Sequence, residues 1–68
     1  MIAFFTDGKT HVRAYLQGSD WQLLSDTKER WYSTWEGNKR NSLLRAFTSF
    51  LGREIDPNLI HGLKDVRG

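Results

Sequence analysis

From residue 2 the chain runs through an apolar segment, Ile2-Ala3-Phe4-Phe5, and then a polar one, Thr6-Asp7-Gly8-Lys9. In the stretch that follows, Val12, Ala14 and Leu16 alternate with His11, Arg13 and Tyr15. Alternation with period two sends successive side chains to opposite faces, so residues 10–16 read as a strand with one apolar face and one mixed face. Asp7-Gly8 between the two runs signals a hairpin, because a tight primed turn needs residues that tolerate positive φ. Gln17-Gly18-Ser19-Asp20 predicts a further turn, with Trp21 to Leu24 returning as a third antiparallel strand.

Residues 27–36 satisfy two patterns at once. Trp31, Tyr32, Thr34 and Trp35 are strand formers by type, yet Lys28, Trp31, Tyr32 and Trp35 fall at i, i+3, i+4 and i+7 of a helix. Asp26 followed by Glu29 fits a capping box, and Gly37 fits the glycine that closes a helix, so a helix over 27–36 is the preferred reading. One longer helix from Asp20, N-capped by Ser19, or a hairpin over 20–35, are the alternatives.

The strongest periodicity lies at residues 42–51, where Leu43, Leu44, Phe47, Phe50 and Leu51 share an arc of about 120° on a helical wheel. Asn41 or Ser42 is placed to cap this helix, Gly52 to end it, and Arg45, Thr48, Ser49 and Arg53 to face outward. Asp56-Pro57 predicts a last short helix that buries Leu59, Ile60 and Leu63, with proline at its first position. The expected fold is therefore α+β, one domain over 1–68: an N-terminal antiparallel hairpin or three-strand meander, then two or three short helices. Its expected core is Phe4, Val12, Leu16, Leu24, Trp31, Leu44, Phe47, Phe50, Leu51, Ile60 and Leu63.

Composition narrows the chemistry. A chain of 68 residues has room for one core, and with no cysteine it has neither disulfides nor thiolate metal sites to staple it. Three Trp, four Phe and two Tyr fill that need, since each aromatic buries roughly 150–250 Å². No apolar run approaches the roughly 20 residues that cross a bilayer, and the N-terminal run lacks the basic flank of a signal peptide. A cytoplasmic protein with no membrane partner is expected.

Asp7-Gly8-Lys9-Thr10 echoes the end of a phosphate loop but lacks the upstream glycine and the following helix. His11 and His61 have no ligand spacing, and no serine sits in a nucleophile-elbow pattern. Catalytic, cofactor and metal residues are thus expected to be absent, and the chain is read as a binding protein and not an enzyme.

Net charge is only +2, but it is unevenly spread. Residues 37–53 carry Lys39, Arg40, Arg45 and Arg53 without a single acid. Cations next to the positive end of a helix dipole are mildly unfavourable, whereas an anion bound there reverses the sign. Lys39, Arg40, Asn41, Ser42, Arg45 and Arg53 are accordingly the candidate phosphate contacts, and the expected function is a small nucleic-acid-binding regulatory protein. Four neutralised phosphates would give a log–log salt slope of about −3.6 on duplex DNA. The predicted helices 27–36 and 42–51 would form a helix-turn-helix-like pair, though their five-residue link is longer than usual. The rival expectation is a protein-interaction or inhibitor module, of the size common among phage and mobile-element regulators, that docks through Arg30, Tyr32 and Trp35.

Overall fold

The computed structural model describes residues 2–34 and 38–66. Four strands come first, β1 (Ala3–Thr6), β2 (His11–Gln17), β3 (Asp20–Leu24) and β4 (Glu29–Ser33), followed by one helix, α1 (Lys39–Leu51). A 3₁₀ turn at Pro57–Leu59 leads into the two-residue strand β5 (Ile60–His61), and a second 3₁₀ turn covers Leu63–Asp65. The sheet is antiparallel throughout, in the order β4-β3-β2-β1-β5, so β5 returns to pair with the first strand, Phe5 facing Ile60 and Phe4 facing His61.

Both N-terminal turns fall where the sequence puts them, with one difference of mechanism. The β1–β2 loop has positive φ at Gly8 (+93°) but at no non-glycine residue among those described, so it is not a primed turn with both central residues left-handed. Instead Asp7 braces a four-residue loop, its Oδ1 accepting the backbone N–H groups of Lys9 (2.9 Å) and Thr10 (2.8 Å). The β2–β3 loop is the two-residue Gly18-Ser19, with Gly18 at φ +61° in its first position.

The helix expected over 27–36 is a correction: residues 29–33 form β4. Ser25, not Asp26, organises the preceding turn, its Oγ accepting the N–H of Thr27 and of Lys28 while its own N–H bonds the Lys28 carbonyl at 2.9 Å. That four-residue turn returns the chain alongside β3, pairing Trp21 with Tyr32 and Leu23 with Arg30. Ladder hydrogen bonds and the strand preference of Arg30-Trp31-Tyr32 outweigh the helical spacing. The helix-turn-helix-like pair therefore does not exist.

A second correction concerns the C-terminal segment, where a short helix was expected. Asp56 does cap it, accepting the Asn58 N–H at 2.9 Å, and Pro57 does occupy its first position. It is nonetheless a single 3₁₀ turn, after which Ile60 and His61 extend to cover the edge of β1. The long helix itself starts three residues earlier than expected, because Asn38 supplies the cap: its Oδ1 accepts the Asn41 N–H at 2.8 Å. Gly52 closes it at φ +73°.

α1 lies across one face of the sheet. Ala3 and Phe5 of β1, Val12 and Ala14 of β2, Trp21 and Leu23 of β3, and Ile60 of β5 point toward it and meet Leu43, Ala46, Phe47 and Phe50. The rings of Phe5 and Phe47 stand 6.1 Å apart and tilted by 41°. Lys28 straps the helix end, its ammonium donating to the Phe50 carbonyl at 2.7 Å and lying 4.5 Å above the Phe50 ring. Of the expected core, Val12, Phe47, Phe50, Ile60 and Leu63 are buried, and Leu16, Leu44 and Leu51 pack at its margin. Phe4 and Leu24 instead sit half-buried on the opposite face, one residue out of step with Phe5 and Leu23, and Trp31 is 51% exposed. Among the described residues no helix is long and apolar enough to cross a membrane.

Candidate nucleic-acid interface

The window 37–53 does not gather into one surface. Lys39, Arg40 and Asn41 form the exposed first turn of α1. Ser42 is 3% exposed and already engaged: its hydroxyl accepts the indole N–H of Trp21 at 2.9 Å and donates to the Lys39 carbonyl at 2.9 Å. It serves packing and cannot reach a phosphate. Arg45 is exposed further along the helix, beside a groove of about 630 Å³ that it shares with Tyr32, Ser33 and Ser49. Arg53 bonds the Oδ2 of Asp7 at 2.7 Å, so its charge is partly neutralised. The same carboxylate is held down to about pKa 2, chiefly by the Thr10 and Lys9 backbone N–H groups, with Arg53 adding to them.

The residues expected at a protein interface are also divided. Arg30 is exposed and donates to the Glu29 carbonyl at 2.9 Å. Tyr32 is half-buried on the core side of β4, and burial pushes its hydroxyl up from the ordinary tyrosine range against the opposing charge of Arg30. Trp35 lies outside the described residues.

What the structure does gather is the sheet face turned away from α1. The outward residues of β1, β2 and β4 place Phe4, Tyr15 and Trp31 there, with Arg13, His11 and Gln22 between them. Register fixes the rows: His61, Phe4, Arg13 and Leu24 follow one another across β5, β1, β2 and β3, and Tyr15, Gln22 and Trp31 across β2, β3 and β4. Phe4 is stacked between two imidazoles, with His11 at 5.8 Å and 24° and His61 at 6.3 Å and 26°. Asp20 and Glu29 are the acids on this face of β3 and β4, and the Gln22 amide donates to Glu29. The signal for this face was present in the sequence as the mixed side of β2, His11-x-Arg13-x-Tyr15. Trp31 was hidden by the helical reading of residues 27–36.

At the β5 edge a depression of about 560 Å³ opens between the first turn of α1 and the Pro57–Asp65 segment, with Arg40, Asn58, His61, Lys64 and Asp65 in its lining. His61 thus belongs both to this basic depression and to the aromatic row. Among the described residues there is no group of three or more His, Asp or Glu arranged to hold a metal ion. Comparison with protein-family models, with curated proteins and with solved structures found no match to the chain.

Proposed function

We propose that the chain is a non-enzymatic nucleic-acid-binding protein that takes a single strand on the open face of its sheet. The observation that carries this reading is the face itself, with Trp31 half exposed and Tyr15 and Phe4 partly so, interleaved with Arg13 and two imidazoles. Bases stack on exposed rings whatever their sequence, and guanidinium and imidazole groups between the rings donate to phosphate and base edges. An open sheet face suits splayed single-stranded bases better than the groove of a duplex, which admits a helix or a narrow ribbon. Of the basic window, Arg40 on α1 lines the β5-edge depression that His61 of this face also lines, so the phosphate role of Lys39, Arg40, Asn41, Arg45 and Arg53 contracts toward that residue.

Anisotropy titrations of labelled single-stranded DNA, single-stranded RNA and duplex DNA at two salt concentrations test the reading. Single strands are expected to bind more tightly than duplex, and affinity to fall as salt rises. Absence of binding to all three at low salt rejects it.

One observation favours a protein partner instead: Trp31 sits on an edge strand at 51% exposure, the position and residue type of an interface hot spot. A nuclease-treated pull-down that retains a stoichiometric protein, lost in Trp31→Ala, would select this second reading.

A further inference from the structure

We propose that the depression beside β5 is a phosphate subsite, in which Arg40 and Lys64 together hold one phosphodiester of the strand whose bases lie on the sheet. The inference rests on the single-strand reading and adds to it a specific location for backbone charge. Three observations support it.

The first is the state of the cations. Three basic side chains are committed to the fold, Arg53 to Asp7, Lys28 to the Phe50 carbonyl and ring, and Arg30 to the Glu29 carbonyl. Arg40 and Lys64 line one depression, come from segments 24 residues apart, and make no ion pair or side-chain hydrogen bond among the described residues. Asp65 lines the same depression, yet no ion pair joins it to either of them. Two cations against one carboxylate leave the depression with a net positive charge, which a phosphodiester would neutralise.

The second is size. At about 560 Å³ the depression has room for a phosphate and its sugar. Guanidinium offers a planar fork to two phosphate oxygens, and the lysine ammonium adds a movable point charge, a complementary pair of donors.

The third is continuity. His61 is shared between the depression and the aromatic row, and its ring is stacked on Phe4. A strand with a base at the exposed His61 end of this row would pass its backbone over the β5 edge next to Arg40 and Lys64. Arg13, facing Phe4 across the β1–β2 pair, lies on the far side of that base.

The test compares Arg40→Ala, Lys64→Ala and Lys39→Ala, the last a neighbouring exposed cation outside the depression. All three are surface changes, and circular dichroism verifies the fold. Binding of an oligothymidylate and an oligouridylate is followed across a salt series. Each depression variant is expected to lower the magnitude of the log–log slope by about 0.7, the single-strand value for one phosphate contact, while Lys39→Ala leaves it unchanged. Equal effects from all three variants would reveal a diffuse basic field and overturn the subsite, as would no effect from Arg40→Ala and Lys64→Ala. If the unaltered protein binds neither oligonucleotide, the single-strand reading itself falls. Titration with inorganic phosphate or a nucleoside monophosphate separates the sources of the group. Saturation of the depression by either one alone, at concentrations that displace no oligonucleotide, would overturn the assignment to a strand.

Discussion

The indole N–H of Trp21 donates to the Ser42 hydroxyl at 2.9 Å, and that hydroxyl donates in turn to the carbonyl of Lys39. Both side chains are buried, so an interior strand and the first turn of α1 are joined by a two-bond relay whose Trp21–Ser42 bond lies in the core. Removing the middle member orphans a buried donor. Ser42→Ala is expected to cost about 1–3 kcal/mol in urea unfolding, far more than a surface serine. Adding Trp21→Phe should cost less in the Ser42→Ala background than in the native one, because the orphaned N–H goes with it.

Two aromatic positions should behave oppositely. Phe47, fully buried against Phe5, is expected to cost about 3–5 kcal/mol as Ala. Trp31→Ala is expected to change stability by no more than about 0.5 kcal/mol while weakening oligonucleotide binding by about 1–3 kcal/mol, the worth of one stacked base. Thermal melts and anisotropy on the same samples check both. A Trp31→Ala protein that melts as early as Phe47→Ala would move that ring into the core.

Stability should respond to acid through Asp7. Its carboxyl is lowered from 3.8 to about 2 in the fold by the Thr10 and Lys9 N–H groups and by Arg53. A depressed carboxylate stabilises the fold above its unfolded pKa, and the contribution disappears as pH falls through the folded one. Asp7→Asn should therefore melt below the native protein by a constant margin above about pH 4, and the gap should close between about pH 4 and pH 2. A margin that persists at pH 2 would show that the loop is braced by geometry and not by charge.

Glycine matters most at residue 62. Its φ is +86°, and a Cβ there would lie 2.5 Å from the carbonyl oxygen of Ile2. Gly8, at φ +93°, has open space around it. Gly8→Ala should cost about 1–2 kcal/mol, the left-handed backbone term alone. Gly62→Ala adds a backbone clash, and is expected to cost more and to speed amide exchange at Phe5 and Ile60 selectively. Equal losses at the two sites would contradict the close approach of β5 to Ile2.

Much of this architecture was legible where a pattern is local. The alternation Val12-x-Ala14-x-Leu16 marks β2, the polar loops mark its hairpins, and Leu43, Leu44, Phe47 and Phe50 mark α1. Ile2-Ala3-Phe4-Phe5 is apolar at every position, so it contains no parity to tell that Phe5 faces in and Phe4 out. Lys28, Trp31, Tyr32 and Trp35 fit a helix as well as a strand, and only the pairing of Trp21 with Tyr32 decides between them. A two-residue strand such as Ile60-His61 has no period at all. For the site, counting lysines and arginines pointed to the helix and away from the outward half of β2. Ser42 looked like a free cap, because its partner, Trp21, is 21 residues away.

The pairing of β1 with β5 joins segments 55 residues apart, Phe5 to Ile60. On a ribosome adding about 5–20 residues per second, roughly 3–11 s separate the synthesis of these two strands. During that interval β1 has a neighbour on one side only, and the Phe4–His61 stack and the Arg40–Lys64 depression do not yet exist. A nascent chain halted before residue 60 would contain the segments for the four-strand meander and α1, yet lack the edge on which a strand is proposed to be held. Ligand competence on this reading therefore follows the closure of the sheet by β5.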